Sequence, residues 1–329
     1  MVGTIAEGMW KKAKRVLKPS ARRVVRLIAI PAVRGYFRYA RTPFRKKVLW
    51  DRVVGQSFRG LAPAEISFVA TTVFGSKIVS STSDILGKYV YYFGVWEPNL
   101  TSWIGQRLAP GDVFVDVGAN IGYHTLLASK LVGESGKVVS IEAFPAIFSL
   151  LQKHLSLNRV HNVRAVNCAA WDGEDTLTFY TGFDDLPVTT TAMPRWAAEW
   201  HLERRCQVRA KALSDILDAD EIKGARLIKI DVEGAEWHVL SGMKSLMARC
   251  RDDLEVILEV TPSILEAEGK STQDILDFFA ARGFHSYSMD NSEAAYFAPT
   301  ISPPKRIDHI PQKQTDVIFS RIDTEVLSL

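Results

Sequence analysis

The sequence contains little cysteine and no long uncharged apolar run. Three cysteines, Cys168, Cys206 and Cys250, are scattered over 329 residues without CxxC spacing. This odd set excludes a disulfide scaffold and a zinc knuckle and indicates buried thiols in a reducing compartment, so we expect a cytoplasmic protein without a bound metal. No apolar run approaches the ~18 residues that a membrane-spanning helix needs. The hydrophobic content of 47% and charged content of 24% are typical of a globular protein.

Two nucleotide-binding motifs are also missing. The dinucleotide fingerprint GxGxxG does not occur, and neither does the phosphate loop GxxxxGKS/T. Without these glycine patterns the chain lacks the usual backbone cradle for a pyrophosphate or a triphosphate. The sequence therefore disfavours an NAD-dependent oxidoreductase.

Charge is distributed unevenly along the chain. Residues 1–52 hold fifteen Lys and Arg and only two acids, a net charge of +13, whereas the rest holds 26 basic and 35 acidic residues, a net charge of −9. A basic block on an acidic body usually contacts an anionic surface. The acidic body itself offers no electrostatic footprint for nucleic acid.

The basic segment has four interpretations. Its apolar patch, residues 24–33, is interrupted by Arg26 and Pro31 and is too short to span a bilayer. The segment could be a solvated arm, or it could lie peripherally on an anionic membrane with its arginines at the headgroups. An organelle transit peptide and a nucleic-acid-binding arm are the other two interpretations.

Apolar runs of strand length alternate with helical patterns from residue 111 onward. Repeated β–α units predict a doubly wound, mostly parallel sheet with helices on both faces, here a seven-stranded Rossmann-like α/β fold. The predicted parallel strands are 113–117, 137–142, 163–170, 226–231 and 254–260, and 284–288 with 315–320 form a closing antiparallel pair. The predicted helices are 123–132, 145–158, 213–217, 232–249 and 272–281.

The sequence predicts three segments. Residues 1–52 form a basic, helix-compatible arm. Residues 53–110 form an adaptor or cap, with β-like runs at 77–80 and 89–93 and a helix at 99–108 that Pro110-Gly111 ends. Residues 111–329 form the Rossmann-like domain, in which residues 172–212 depart from the β–α pattern with a hairpin near 176–180.

Acidic residues end four of the predicted strands. These residues are Asp116, Glu142, Asp231 and Glu259. Ligands of open parallel sheets bind beyond the carboxyl ends of the strands, near the point where the strand order reverses. We therefore expect the chemistry at this acidic edge, although strand-end acids can also simply cap helices.

The turn Asp116-Val-Gly-Ala-Asn-Ile-Gly122 connects a strand to a helix. Gly118 lets the backbone approach a ligand, and Gly122 lets the helix approach the sheet. Asp116 beside the turn suits a ligand with a positive group, and Glu142, at the end of the next strand, suits the two hydroxyls of a ribose. An adenosine with a cationic tail and no phosphate is S-adenosylmethionine, which we expect as the cofactor.

Three segments resemble the FkbM-type S-adenosylmethionine-dependent methyltransferases, which have the class I methyltransferase fold. They are residues 116–125, residues 139–145 and the segment Leu227-Ile-Lys-Ile-Asp-Val-Glu-Gly-Ala-Glu236 with Leu240-Ser-Gly242. The resemblance covers about residues 90–320 in the family's order and spacing. One departure is visible, because the family's Glu-Pro is here Glu142-Ala-Phe-Pro145. This difference could shift the loop under the ribose.

The resemblance implies methyl transfer to a hydroxyl of a small molecule, a sugar, a polyketide or a lipid. By position, Asp116, Gly118 and Asn120, next to Gly122, would surround the methionyl part of the cofactor. Glu142 would hold the ribose, and the segment ending at Asp172 would lie by the adenine. Glu97 could close over the cofactor or could belong to a surface turn.

Asp231 is the first candidate for a catalytic group, as base or as orienter of the acceptor hydroxyl, and Glu233 is the alternate. Lys229 lies in an apolar strand and needs a carboxylate partner, either Asp231 or Glu259. His124 is a weaker candidate for a base, as is His238, because a histidine near a helix start is more often structural. Glu236 falls in the first turn of a predicted helix, where its negative charge would complement the helix dipole. Carboxylates here could also bind Mg²⁺, but no second ligand set is evident.

The irregular segment 176–205 should shape the acceptor site. Its Tyr180, Trp196 and Trp200 could stack on a sugar ring or an acyl chain, or could form a small satellite core. A nucleic-acid methyltransferase and a non-catalytic cofactor-binding module are the alternative functions. The fourth strand lacks the Asn/Asp-Pro-Pro ending of amino-group methylases, which argues against the first. The intact acids argue against the second.

Overall fold

A computed structural model describes most of the chain. The described residues are 30–39, 43–50, 67–81, 84–181, 190–199, 201–298 and 300–328. The chain divides into two compact units, one of residues 1–96 with 296–299 and one of residues 97–295 with 300–329. The predicted three-segment division stays a prediction, and residues 1–29 of the basic arm lie outside the described residues.

In its described residues, the first unit combines three short helices with a β-hairpin. Its described elements are α1 (Ile30–Tyr39), α2 (Pro43–Leu49), β1 (Ser67–Thr71), β2 (Lys77–Ser81) and α3 (Ile85–Phe93). The two strands pair antiparallel. A cluster of buried aromatic rings holds the unit together, and its members are Phe37, Trp50, Tyr89, Tyr92, Phe93 and Phe297.

The predicted β-like run at 89–93 is wrong, because these residues belong to α3. The Asp84 carboxylate caps the helix by accepting hydrogen bonds from the backbone N–H groups of Leu86 and Gly87. Gly94, at φ 79°, ends the helix in the left-handed conformation. Helical spacing brings Tyr89, Tyr92 and Phe93 into the aromatic cluster, and this tertiary packing outweighs their strand propensity.

The second unit is built on an eight-stranded sheet of order β13-β12-β14-β11-β10-β3-β4-β5. The five strands from β11 to β5 are parallel and reach one edge of the sheet, and the three strands at the other end join through antiparallel pairs. The strands are β3 (Val113–Val117), β4 (Lys137–Ile141), β5 (Val163–Val166), β10 (Ala225–Ile230), β11 (Glu255–Val260), β12 (His285–Met289), β13 (Lys305–Arg306) and β14 (Thr315–Ser320). The doubly wound Rossmann-like fold is confirmed, and the eighth strand is a two-residue edge.

Helices connect the parallel strands and bury their apolar sides against the sheet. The strand order reverses between β3 and β10, which places the switch point there. The helices are α4 (Pro98–Arg107), α5 (Tyr123–Val132), α6 (Pro145–Leu157), α7 (Pro194–Glu199), α8 (Leu213–Ile216), α9 (Ala219–Gly224), α10 (Glu236–Gly242), α11 (Pro262–Ala267) and α12 (Thr272–Ala280). In the described part of the chain, no helix has the length and apolar character to cross a bilayer.

The predicted third strand is in fact two strands in different sheets. β5 ends at Val166, and β6 (Ala169–Trp171) joins β7 (Asp175–Thr181), β8 (Thr190–Thr191) and β9 (Glu203–Ala212) in a four-stranded sheet of order β6-β9-β7-β8. The break lies at Asn167, whose side-chain amide donates to the backbone carbonyls of Glu142 at 2.9 Å and Ala143 at 2.8 Å. These bonds fix the loop after β4.

The helix after β10 is shorter than the predicted 232–249. α10 begins at Glu236 because the preceding residues form a loop, and it ends at Gly242. A Cβ atom on Gly242 would lie 1.9 Å from the backbone oxygen of Trp171. Only glycine therefore allows α10 to pack directly on the end of β6.

Candidate active site

A cleft opens at the carboxyl ends of β3, β4 and β10, as expected from the switch point. It encloses about 670 Å³, open solvent included, and both sheets contribute to its walls. Gly118, Asn120, Glu142, Asp231 and Glu233 of the predicted site line it. The structure thus brings the glycine turn, the expected ribose acid and the expected catalytic acids into one cavity.

The glycine turn touches the loop that follows β10. A Cβ atom on Gly118 would lie 1.7 Å from the backbone oxygen of Asp231, so no other residue fits at this contact. Asn120 adopts the left-handed conformation, at φ 49°. Gly122 packs on α6, since a Cβ there would lie 2.4 Å from Leu151 Cδ1. The turn is therefore held from both sides.

Glu142 is buried at the floor of the cleft, directly after β4. Its Oε2 accepts the backbone N–H of Asn120 at 2.9 Å, and its Oε1 accepts the backbone N–H of Phe144 at 2.8 Å. Burial outweighs these bonds and raises the pKa of Glu142 to about 7. The Ala-Phe insertion supplies Phe144 as a donor, so the departure from the family pattern helps to hold the carboxyl group in the cleft.

Asp116 is fully buried and is absent from the described cleft wall. Its Oδ2 accepts the hydroxyl of Thr125 at 2.6 Å, whereas its Oδ1 has no hydrogen bond among the described residues. Burial raises the pKa of this carboxyl group. Asp116 is the register partner of Lys229 on β10, which connects it to the charges described next.

Lys229 lies among carboxyl groups, with 4% of its surface exposed. Its Nζ is 2.7 Å from Asp231 Oδ2, which confirms Asp231 as its predicted partner. Burial opposes the ammonium charge, but Asp231, Asp116 and Glu97 outweigh it and raise the pKa of Lys229. The other predicted partner, Glu259, is the register partner of Asp316 on β14.

His124 and Glu97 form a buried pair behind the cleft. His124 Nε2 is 3.5 Å from Glu97 Oε2. Burial, assisted by Lys229, lowers the pKa of His124 well below its usual value. Burial and the nearby Asp316 raise the pKa of Glu97 well above its usual value. Both shifts favour the neutral form, so the pair lacks the charge of a histidine–carboxylate salt bridge.

The loop between β10 and α10 carries the acids nearest to the cleft. Glu233 has φ 51°, and the Thr191 hydroxyl donates to its backbone oxygen at 3.0 Å. Burial and the neighbouring Asp231 and Glu236 raise the pKa of Glu233 to about 8. Glu236 Oε1 accepts the backbone N–H of Gly234 at 3.0 Å, so this acid supports the loop.

Two further polar residues of this edge escaped the sequence analysis. Asp316, near the start of β14, accepts a hydrogen bond from the Asn291 side chain at 2.6 Å. Burial raises the pKa of Asp316 to about 6. An acid at the start of an otherwise apolar strand was the available signal.

In the described residues, no set of three or more His, Cys, Asp or Glu side chains is arranged to hold a metal ion.

The predicted aromatic surfaces do not line the described cleft. Phe179 lines it and its neighbour Tyr180 is absent from the described wall, and the register of β7 against β9 shifts between these two residues. Trp196 is also absent from the described wall, and Trp200 lies outside the described residues. Asp172 is absent from the wall as well, and its Oδ2 is 3.0 Å from His238 Nδ1. The aromatic residues at the wall are Phe179 and Trp171.

The cleft fits the expected cofactor. Gly118 and Asn120 of the turn line the cleft, and Glu142 offers a buried carboxyl group suited to ribose hydroxyls. Ile141, Ala143 and Trp171 provide apolar and aromatic surface for a base. Asp231 supplies an acid at the side of the cleft that belongs to β10.

Comparison with known proteins gives a family match. The model of the methyltransferase FkbM domain matches residues 116–286, more than half of the chain. "Methyltransferase 1" of Beauveria bassiana is 33% identical over 155 residues, covering 41% of this chain and 59% of the relative. The 31-O-demethyl-FK506 methyltransferase FkbM of Streptomyces tacrolimicus is 29% identical over 170 residues, covering 43% and 62%.

The aligned part of this chain thus spans less than two thirds of these relatives' own length. Among solved structures, the methyltransferase FkbM from Methylobacillus flagellatus shares 15% identity at a TM-score of 0.36, covering 72% of this chain and 55% of that one. The fold assignment therefore rests on the strand order described above.

Proposed function

The chain belongs to the FkbM methyltransferase family, and from this premise we propose that it methylates a hydroxyl group of a small molecule, a sugar or a glycolipid. S-adenosylmethionine is the cofactor, and it supplies an electrophilic methyl group. In this proposal Glu142 accepts hydrogen bonds from the ribose hydroxyls. The turn at Gly118 and Asn120 lies along the methionyl part of the cofactor. Gly122 supports the turn by packing on α6.

One observation carries the assignment to hydroxyl acceptors. Asp231 and Glu233 line the same cleft as Glu142, and Gly118 places the backbone of Asp231 against the cofactor turn. A hydroxyl is a poor nucleophile until its proton is leaving, so a carboxylate at this place has chemical work to do. The ammonium of Lys229, 2.7 Å away, fixes the orientation of the Asp231 carboxylate.

We assign Asp231 as the base or orienter of the acceptor hydroxyl and Glu233 as the alternate. The raised pKa of Glu233 keeps its carboxyl group protonated through neutral pH, which suits hydrogen-bond donation to the acceptor. In this proposal Asp116, the register partner of Lys229, and the neighbouring pair of Glu97 and His124 are supporting residues around Lys229.

The proposal is tested with cofactor labelled in the methyl group and with total lipid, glycan, RNA and DNA fractions as acceptors. Label that enters the lipid or glycan fraction and survives mild alkali, as an ether does, supports the proposal. Alkali-labile label indicates a methyl ester, and label in nucleic acid indicates the alternative enzyme. Cofactor binding without transfer to any fraction would indicate a binding module.

Asp231→Asn, with exposed Asp252→Asn as the matched control, connects this activity to the cleft. Under the proposal, Asp231→Asn abolishes most of the transfer and Asp252→Asn leaves it unchanged.

We further propose that the basic segment 1–52 holds the protein peripherally on anionic membrane surfaces on the cytoplasmic side. Its net charge of +13 supports this proposal, because each well-placed Lys or Arg contributes up to ~1 kcal/mol at such a surface. Phe37 and Trp50 belong to the buried aromatic cluster, so deleting the whole segment would damage the first unit.

Substitution of Lys11, Lys12, Lys14 and Arg15 by glutamine is therefore the better test. At ~0.1 M salt the wild type should sediment with phosphatidylserine-containing vesicles, and the substituted protein should remain in the supernatant. A wild type that ignores such vesicles contradicts this proposal.

A further inference from the structure

Trp171 stands at the cleft with one face of its indole covered. The residue ends β6 and lines the cleft. The imidazole of His238, from α10, stacks on it with ring centroids 3.7 Å apart and an interplanar angle of 9°. This is a parallel contact at van der Waals distance, so the indole has a fixed backing on the side of α10.

His238 is itself held by two acids. Its Nδ1 is 3.0 Å from Asp172 Oδ2, and its Nε2 is 3.9 Å from Glu268 Oε2. Asp172 directly follows Trp171 in the chain. The imidazole is therefore bound both to the indole and to the residue that comes after it.

A second contact on the same helix face fixes the backbone of Trp171. Gly242 lies four residues after His238, which places both on one side of α10. The backbone oxygen of Trp171 packs so closely on Gly242 that no side chain fits between them. α10 thus holds Trp171 by its ring at His238 and by its backbone at Gly242.

We propose that His238 is a positioning residue, which fixes Trp171 as a preformed wall for the adenine ring of the cofactor, and that Asp172 acts by orienting His238. This inference rests on the proposed function, because it needs S-adenosylmethionine in the cleft. A side chain that is already immobile loses little freedom when a ligand packs against it, so the clamp favours binding. Asp172 then has a different role from the direct adenine contact that its position in the family implies.

The test measures binding of S-adenosylhomocysteine to the full-length protein by calorimetry. His238→Ala should weaken binding by about 3- to 10-fold, the range associated with an aromatic pair. His238→Phe keeps a flat ring against Trp171 and should stay within about 2-fold of the wild type. The maximal turnover should be unchanged in both variants, with the loss confined to the KM for the cofactor.

Asp172→Asn tests the second part of the proposal through a double-mutant cycle. If Asp172 acts through His238, Asp172→Asn weakens binding in the wild type but adds nothing in the His238→Ala background. An equal loss in both backgrounds would overturn this role for Asp172. His309→Ala is the matched control, because His309 forms an exposed pair with Asp308 at 2.6 Å and should not affect binding.

A second readout needs no cofactor. The indole N–H resonance of Trp171, identified with Trp171→Phe, should shift in ligand-free His238→Ala and not in His309→Ala. An unshifted resonance, or wild-type affinity for S-adenosylhomocysteine in His238→Ala, overturns the clamp while leaving the proposed function intact. Failure of the wild type itself to bind S-adenosylhomocysteine would instead count against the proposed function.

Discussion

The parallel strands of the large sheet have their amino-terminal ends along one edge and their carboxyl-terminal ends along the opposite edge. These two edges differ in how the charges of their buried carboxyl groups are compensated. At the amino-terminal edge, Glu221 binds the side chains of both Arg164 and Lys137. Glu255 in turn has Arg107 Nε at 3.2 Å and an Arg226 guanidinium nitrogen at 3.4 Å. Each of these two buried acids thus has two cations.

At the carboxyl-terminal edge, many acids share one cation. The acids are Glu97, Asp116, Asp231, Glu233, Glu259 and Asp316, and among the described residues around them Lys229 is the buried ammonium. Burial raises the pKa of most of these acids. At the other edge burial also opposes the charge of Glu221, but its bonds to Arg164 and Lys137 prevail and lower its pKa.

The contrast separates acids that hold the fold from acids kept for a ligand. A buried carboxyl group paired with two cations has its negative charge compensated within the fold. A carboxyl group in a cleft whose charge is less compensated favours a ligand that brings positive charge. The cofactor carries a sulfonium, which fits the second edge. The following predictions test whether the two edges really have these different purposes.

The largest expected effect is on turnover at the carboxyl edge. Asp231→Asn keeps the shape of the side chain but loses its proton acceptor, and we expect turnover to fall at least ~100-fold with little change in affinity for S-adenosylhomocysteine. The labelled-methyl assay and calorimetry measure the two quantities. Glu221→Gln, at the other edge, should keep its specific activity. A fully active Asp231→Asn enzyme would return this acid to a structural role.

The same assay in EDTA separates a base from a metal site. We expect the wild type to stay active. Activity lost in EDTA and restored by Mg²⁺ would replace the general base with a metal-assisted mechanism.

The next effect is on cofactor affinity. Glu142→Ala removes the proposed acceptor of two ribose hydroxyls, and binding of S-adenosylhomocysteine should weaken by about 1.5–3 kcal/mol. Exposed Glu174, paired with Arg209, provides the matched control through Glu174→Ala. Wild-type affinity in a folded Glu142→Ala variant would remove Glu142 from the cofactor site.

The free energy of unfolding should respond more to a substitution at the amino-terminal edge than to one at the carboxyl-terminal edge. Glu221→Gln leaves two cations without their carboxylate and should cost about 1–3 kcal/mol in the free energy of unfolding, measured by urea denaturation at pH 8. Glu259→Gln, at the carboxyl edge, replaces an acid whose ionised form is opposed by burial and by Asp231 and Asp316, and should cost less or even stabilise. Equal losses in both variants would mean that the two edges are not energetically different.

The smallest expected effect is the pH dependence of stability. Burial raises the pKa of Glu142 and Glu236 to about 7 and that of Glu233 to about 8, above the unfolded value of about 4.3. Their stabilising contribution is complete below the unfolded value and is lost as pH rises through 7–8. The thermal midpoint of the ligand-free protein should therefore fall as the pH rises from about 5 to about 8, by about 2–4 °C for each kcal/mol lost.

Glu233→Gln should flatten this slope. The pKa of Glu221 is lowered in the folded protein, so the shift is in the opposite direction. Its stabilising contribution should therefore be lost only when the pH falls below the pKa of glutamate in the unfolded chain. A thermal midpoint that rises between about pH 5 and about pH 8 would contradict the assignment of protonated acids to the carboxyl edge.

The parallel strands could be predicted from sequence because both of their faces are buried. Runs such as residues 113–117 are apolar except for one acid near the end, Asp116, and such acids mark the ligand edge. Glu142, Asp231 and Glu233, predicted from this pattern, line one cleft in the structure, and their roles stay predictions. The partner of Lys229 could also be predicted, because a buried ammonium requires a carboxylate close in sequence or on a neighbouring strand.

Other features depend on contacts that a linear pattern does not contain. Residues 89–93 have strand propensity, but a distant aromatic cluster and the cap at Asp84 make them helical. The split after Val166 depends on hydrogen bonds from Asn167 to the loop after β4. The stack of His238 on Trp171 joins residues 67 positions apart, and nothing local to either one indicates it.

The contact between Gly118 and the Asp231 backbone also limits how the enzyme can be altered. No Cβ fits between the turn at Gly118 and the loop of residues 231–236. A substitution that moves the backbone of one of these loops therefore forces the other to move as well. In a saturation library, position 118 should tolerate nothing but glycine, even in a selection for folding alone. Transplanting residues 231–236 from a relative with another acceptor will succeed only where the donor loop follows the same backbone path past Gly118. We therefore expect acceptor preference to be more readily redesigned at β7 and β8, whose Leu177, Phe179 and Thr190 also line the cleft.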